Sequence, residues 1–99
     1  MSKPLVFALD FDDTFTACPQ LFAVFAQHAQ SLGHTVYIVT ARRDTDENRD
    51  IIREAMHEFS CTMSVIFTSL GSKLHAMQQR GIKVDIWIDD QPEKLVHGH

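Results

Sequence analysis

LVFALDFDDT, residues 5–14, is the stretch that decides the fold, because an unbroken apolar run ends abruptly there in three carboxylates and a hydroxyl. Five consecutive apolar residues without alternation are typical of a strand covered on both faces, as in a parallel sheet flanked by helices. The neighbouring charges of Asp10, Asp12 and Asp13 repel one another unless a cation or a bound proton relieves them. A hard divalent cation with oxygen ligands, above all Mg²⁺, suits such a cluster, and a solvated acidic turn is the alternative.

The rest of the chain alternates apolar runs with amphipathic segments. Besides the first strand, the pattern predicts strands at residues 35–39, 63–67 and 84–88. It predicts helices at about 19–32, 44–59 and 73–80, and a last helical turn at about 91–96.

This alternation indicates an α/β fold, a Rossmann-like three-layer sandwich with a small parallel sheet of about four strands flanked by helices. Right-handed crossovers leave few topologies. If strand four lies on the free side of strand one, the strand order is 3-2-1-4, and the order reverses between strands one and four. Ligands of such sheets bind at the carboxyl ends of the strands, at this switch point.

Two local features of the sequence also give testable expectations. The segment Asp44-Thr45-Asp46-Glu47 has the form of a capping box that places acidic residues in the first turn of the second helix. Cys18 and Cys61 lack the spacing of metal ligands, and Cys18 is expected to be a small packed hydrophobe.

Length and composition predict one domain over residues 1–99, with enough apolar residues, 44%, to form a core. The formal net charge of −4 counts against a basic nucleic-acid binder, although a local pair of arginines can still meet a phosphate. Nothing at the N-terminus resembles a signal peptide or a membrane span, and the cysteines suggest a reducing compartment. A cytoplasmic protein without membrane association is therefore expected.

Several chemically useful side chains follow the predicted strands at one edge of the sheet. Because parallel strands end at the same edge, the 3-2-1-4 order brings Asp10 and Asp12 after strand one and Asp89 and Asp90 after strand four to one crevice, with Thr40 after strand two beside it. Lys73, in the first turn of the third helix, is expected to point into the same place.

This constellation resembles the haloacid-dehalogenase-like (HAD) hydrolase superfamily. Residues 10–14, DFDDT, match the D-x-D-x-T first motif of that superfamily, and Thr40, Lys73 and the pair Asp89-Asp90 match its second, third and fourth motifs in the same chain order. The match spans residues 5–90. D-x-D-x-T after a buried strand is its most specific part, whereas a single hydroxyl or lysine is a weak signal.

The resemblance implies a Mg²⁺-dependent phosphatase that hydrolyses a phosphate monoester. Asp10 would be the nucleophile that forms an aspartyl-phosphate, and Asp12 would be the general acid and then the general base. Thr40 would donate hydrogen bonds to a phosphate oxygen, and Lys73 would supply a positive charge beside the carboxylates.

The same resemblance implies the ligands of the metal. Mg²⁺ would be held by the Asp10 carboxylate, the backbone carbonyl of Asp12 and Asp90. Asp89 would lie farther out and orient Lys73, and the roles of Asp89 and Asp90 could be reversed.

The substrate is less constrained by the sequence. Arg42 and Arg43 follow Thr40 on a loop, where they could contact a leaving group or a second phosphate, or simply balance the acidic segment after them. Most members of the superfamily carry an inserted cap domain, for which this chain has no room, so an open site is expected. Such a site would admit a small phosphate ester or the phosphorylated end of a polymer, with a nucleotide or nucleic-acid end favoured, unless a homo-oligomer closes it.

Two other classes of protein remain as alternatives. A receiver-like phosphoacceptor domain also places acids, a hydroxyl and a lysine at strand ends, but there the lysine comes last, whereas here Asp89 and Asp90 follow Lys73. A non-catalytic binding module of HAD fold is the other, and turnover of a generic aryl phosphate with Mg²⁺ would exclude it.

Overall fold

The computed structural model describes residues 3–97, within which four strands alternate with four helices. The strands are β1 (Val6–Leu9), β2 (Thr35–Thr40), β3 (Ser64–Phe67) and β4 (Ile86–Ile88). The helices are α1 (Pro19–Ser31), α2 (Asp46–Glu58), α3 (Lys73–Gln79) and α4 (Glu93–His97). Within the described residues, none of the helices has the length and apolar character needed to cross a membrane.

The sheet is parallel throughout, and its order is β3-β2-β1-β4. Leu9 at the end of β1 lies opposite Ile38 of β2 on one side and Ile88 of β4 on the other. The predicted α/β fold and the 3-2-1-4 order are therefore confirmed. The carboxyl ends of β1 and β4 are neighbours at the point where the order reverses.

Both faces of the sheet are covered, as the unbroken apolar run in β1 requires. On one face Leu9 and Ile38, both fully buried, belong to a core that includes Ala26 of α1 and Ile52 of α2. On the other face, the buried core residues are Ala8, Val39 and Met77, of which Met77 comes from α3. Consecutive residues of β1 thus point into opposite layers, which makes the molecule a three-layer sandwich.

The fourth strand differs from the prediction. It begins at Ile86 rather than at residue 84, because Asp85 makes two hydrogen bonds with Val6. Asp85 N–H donates to the Val6 carbonyl at 2.8 Å, and Val6 N–H donates to Asp85 Oδ2 at 2.8 Å. The strand is also at the edge of the sheet, and Ile86 is 41% exposed. The continuous apolar pattern therefore overstates how well this strand is covered.

The segment at residues 44–47 opens α2 as predicted, with Asp46 and Glu47 in the first turn, but the capping residue is Thr45 rather than Asp44, because Thr45 Oγ1 accepts the N–H of Asn48 at 3.1 Å. Asp44 instead pairs with Arg49. Cys18 is exposed rather than packed, because it lies in the loop before α1, whereas Cys61 is buried.

Candidate active site

The turn after β1 directs Asp10 toward the edge of the sheet. Asp10 N–H donates to the Ile88 carbonyl at 2.9 Å, which extends the pairing of β1 and β4 to this residue. The chain then makes a wide turn, in which Phe15 N–H donates to the Asp10 carbonyl at 3.2 Å. Phe11 and Phe15 are buried in the core and anchor the turn from below. The turn therefore places Asp10 at the switch point.

Lys73 reaches Asp10 from the start of α3. Ser72 caps this helix by accepting the N–H of His75 at 3.2 Å, and its hydroxyl donates to the Leu95 carbonyl of α4 at 2.8 Å. Lys73 Nζ then donates to Asp10 Oδ1 at 2.8 Å and to Asp89 Oδ2 at 2.6 Å. All three of these side chains are less than 10% exposed. The sequence expectation that Lys73 enters the crevice and lies against Asp89 agrees with this geometry.

The carboxylates at the ends of β1 and β4 come together around this lysine. Asp10, Asp89 and Asp90 each offer an oxygen, and these three atoms lie within 4.8 Å of one another. Thr14 Oγ1 lies between two of these groups, 3.3 Å from Asp10 Oδ2 and 3.4 Å from Asp90 Oδ1. Carboxylate oxygens are the ligands that hard divalent cations prefer, so this donor set fits such a cation.

Burial dominates the electrostatics of Asp10. It raises the pKa of this carboxyl to about 6, against the hydrogen bond and the positive charge of Lys73, which lower it, while the charge of Asp89 raises it again. Asp10 is only 8% exposed. A buried carboxylate with a perturbed pKa in a cleft is a frequent property of functional sites.

Asp12 does not join this cluster, because its carboxylate is bound by Arg42 from the loop after β2. Arg42 Nε donates to Asp12 Oδ2 at 3.0 Å and Nη2 donates to Oδ1 at 2.9 Å, which is a two-point contact. The third nitrogen, Nη1, donates to Asn48 Oδ1 of α2 at 2.9 Å. The hydrogen bond to Asp12 raises the pKa of Arg42. Arg42 is thus engaged with the protein itself.

The remaining candidate residues lie around the same edge of the sheet. Thr40 is fully buried, and its Oγ1 accepts the N–H of Arg42 at 3.2 Å, so the hydroxyl supports its own turn. The next residue in the chain, Ala41, lines the acidic cleft. Arg43 is exposed, and its backbone carbonyl accepts Asn48 Nδ2 at 2.9 Å. Phosphate binding by Thr40 and substrate binding by Arg42 and Arg43 stay predictions.

The cleft around these groups has a volume of about 190 Å³. A larger cavity of about 450 Å³ lies by the C-terminus of α2, away from the acidic residues, and brings no cluster of carboxylates together. The residues that line the acidic cleft are Asp10, Asp12, Asp13, Ala41, Lys73, Asp89, Asp90 and Gln91. We therefore take the smaller cleft as the candidate site, on its chemistry rather than its size.

Comparison of the chain with family models, with curated proteins and with solved structures finds no match. Sequence reasoning gave no role to Asn48, which orients Arg42. Its only signal in the sequence is that it falls in the first turn of α2, which is also where a capping residue or a solvated amide would be found.

Proposed function

We propose that the protein is a Mg²⁺-dependent phosphatase that hydrolyses a phosphate monoester through an aspartyl-phosphate on Asp10. The observation that carries the proposal is the buried contact of Lys73 with Asp10 and Asp89. The lysine fixes the orientation of the Asp10 carboxylate and favours its ionised form, and a carboxylate nucleophile needs both.

The charges at the site support a metal requirement. The carboxylates of Asp10, Asp89 and Asp90 lie together and Lys73 contacts the first two, which leaves a net negative charge where a phosphate dianion would have to bind. The Asp10 and Asp90 carboxylates and the backbone carbonyl of Asp12 would hold Mg²⁺, with Asp89 retained by Lys73. When bound, the ion supplies positive charge that offsets both the carboxylates and the oxygens of the phosphate.

Two steps account for the reaction. First, once Asp12 has taken up a proton from solvent, a carboxylate oxygen of Asp10 bonds to phosphorus while the bond from phosphorus to the ester oxygen breaks, and Asp12 gives that proton to the departing oxygen. Second, Asp12 takes a proton from water as the water oxygen bonds to phosphorus and the bond from phosphorus to Asp10 breaks. Inorganic phosphate leaves, and both carboxyl groups return to their starting states. Lys73 stays beside Asp10 and offsets charge in both steps.

The size of the cleft bears on the class of substrate. At about 190 Å³ it is smaller than the roughly 300–1,000 Å³ pockets that enclose most small ligands. It suits a phosphoryl group, so the leaving group of the substrate would lie outside it. This favours the phosphorylated end of a polymer, with a nucleic-acid end preferred, over a small ester or a mononucleotide. A second copy of the chain closing the cleft is the alternative.

The proposal is tested by hydrolysis of an aryl phosphate with purified protein, with Mg²⁺ or with a chelator. Turnover should require the metal, and Asp10→Asn, which keeps the shape of the side chain but lacks a nucleophilic carboxylate, should lose nearly all of it. A variant that keeps more than about a tenth of the wild-type kcat would refute the role of Asp10. A phosphorylated protein that never turns over would point to a phosphoacceptor domain instead.

Metal binding has a readout of its own. Mg²⁺ at a hundred times its dissociation constant should stabilise the folded protein by about 2.7 kcal/mol in urea denaturation. Asp90→Asn should abolish most of this gain in the free energy of unfolding. Arg49→Ala is the control and should keep the gain, because Arg49 pairs with Asp44 and does not line the cleft.

A further inference from the structure

The sequence interpretation did not anticipate the contact between Arg42 and Asp12. Arg42 uses Nε and Nη2 on the two oxygens of Asp12 and Nη1 on Asn48, so three of its five N–H donors are committed within the protein. Its guanidinium carbon also lies 5.4 Å from the centre of the Phe11 ring. These contacts fix the guanidinium in one place and leave it poorly available to a second phosphate.

Asn48 connects the contact between Arg42 and Asp12 to the start of helix α2. Its side-chain Nδ2 donates to the Arg43 carbonyl at 2.9 Å, and its backbone N–H donates to the capping Thr45 Oγ1 at 3.1 Å. The amide is therefore held in one orientation, with its oxygen toward Arg42. A connected series of hydrogen bonds runs from the first turn of α2 through Asn48 and Arg42 to Asp12.

Asp12 needs such support, because its side chain is about half exposed, at 49%, on the turn at the mouth of the cleft. A free aspartate in that position would sample several rotamers, and misplacing a catalytic group by a small distance is costly. An arginine that binds both oxygens of a carboxylate fixes its plane as well as its position.

We propose that Arg42 is a positioning residue: with Asn48 it holds the Asp12 carboxyl group where that group exchanges a proton with the leaving-group oxygen, and it is not a subsite for a second phosphate. This inference rests on the proposed function. A carboxylate has about four acceptor sites, of which Arg42 occupies two, so Asp12 keeps sites for the proton it donates in the first step and regains in the second.

The test is a double-mutant cycle on kcat/KM, which covers the steps up to release of the leaving group. Wild type, Asp12→Ala, Arg42→Ala and the double variant are compared on a series of phosphate esters from aryl to alkyl leaving groups, together with Asn48→Ala and Arg42→Lys. Arg49→Ala is the matched control, because Arg49 binds Asp44 through the same two nitrogens but away from the cleft. Thermal melts establish that each variant is folded.

Loss of a general acid is expected to cost about 10²–10⁴-fold on alkyl phosphates and much less on aryl phosphates, whose leaving groups need no proton. Arg42→Ala should reproduce this dependence with a loss of about tenfold or more on alkyl phosphates, and should cost less than about twofold when Asp12 is already alanine. Arg42→Lys should behave like Arg42→Ala, since an ammonium cannot make the two-point contact. Asn48→Ala should show a weaker loss with the same dependence, and Arg49→Ala should match wild type.

Three results would overturn the inference: losses for Arg42 and Asp12 that multiply in the double variant, an Arg42→Ala loss that is equal for all leaving groups, or an Arg42→Lys variant with wild-type rates. The proposed function itself is refuted if wild type shows no Mg²⁺-dependent turnover, or if Asp10→Asn retains that turnover. The positioning role of Arg42 is then refuted as well, because it rests on the proposed function. Turnover that needs Asp10 but shows additive losses for Arg42 and Asp12 refutes the positioning role alone.

Discussion

Lys73→Met tests the electrostatic centre of the site without any substrate. The substitution keeps most of the length of the side chain but removes the cation that contacts Asp10 and Asp89. The lysine side chain is 5% exposed, and those of its two partners are 9% and 4% exposed, so both ion pairs are buried. Removing one partner of a buried pair costs about 3–5 kcal/mol, because the remaining charge has no compensation. A chain of this length is stabilised by about 5–15 kcal/mol in total, so the loss should be large.

The pH dependence of this loss has a definite sign. In the metal-free protein, burial raises the pKa of Asp10 to about 6, above its value of 3.8 in the unfolded chain. The ionised carboxylate therefore opposes folding, and this contribution to stability falls as pH rises from about 4 through 6. Lys73 lowers the pKa of Asp10, so the variant should hold a proton on Asp10 up to a higher pH. The cost of Lys73→Met is thus greatest near pH 8 and smaller near pH 5.

The assay is urea denaturation followed by circular dichroism, with a chelator present, at pH 5 and pH 8. Lys83→Met, at an exposed lysine in the loop before β4, is the control and should change stability by no more than about 0.5 kcal/mol. Lys73→Met with Asp89→Asn should recover part of the loss, because one buried charge is gone while Oδ1 can still accept Gln91 N–H. A loss below about 1 kcal/mol at pH 8, or one equally large at pH 5, would refute the reasoning.

Three further predictions follow from other parts of the structure. Thr40→Val should destabilise the protein by about 1–3 kcal/mol in urea denaturation, because the Arg42 N–H loses its acceptor, and unchanged stability would contradict this role of Thr40. In the native protein a thiol reagent should modify Cys18 quickly and Cys61 only on unfolding, since Cys18 is exposed while burial shields Cys61 and raises its pKa; equal rates would argue against these positions. A 3′- or 5′-phosphorylated oligonucleotide should have a higher kcat/KM than the mononucleotide, and Arg43→Ala should reduce the difference; a tenfold preference for the mononucleotide would refute the proposal of a large substrate.

The fold was predictable because its main signals are local. The apolar run of β1 needs cover on both faces, and the alternation of strands and helices then leaves few right-handed topologies. Errors occurred where tertiary contacts compete with the local pattern. Asp85 has no special signal in the sequence, yet its two hydrogen bonds to Val6 delay the start of β4. Thr45 and Asp44 are both good capping residues, and the partner Arg49 engages Asp44.

The candidate site was predictable to a different degree for each residue. Asp10, Lys73 and Asp89 follow from the order of the strands, because each comes directly after a strand or at the start of a helix at the same edge of the sheet. The partner of Asp12 did not follow, because two loops meet there, and the contact depends on the path of each loop. A pattern of strand ends gives positions along an edge, but it does not give the direction of a side chain on a turn.

The directions of the side chains on this turn explain how three acidic residues can follow one another so closely in the sequence. Asp13 adopts a left-handed conformation, with φ 62°, which aspartate tolerates better than most residues, and it lies exposed to solvent. The turn thereby separates the three charges: Asp10 pairs with Lys73, Asp12 with Arg42, and Asp13 is left to water. Within residues 3–97 their mutual repulsion is thus relieved by two side-chain cations and by solvent. The case for a metal ion rests instead on Asp90, which brings a further carboxylate to the pair, so that one oxygen each of Asp10, Asp89 and Asp90 lie within 4.8 Å of one another.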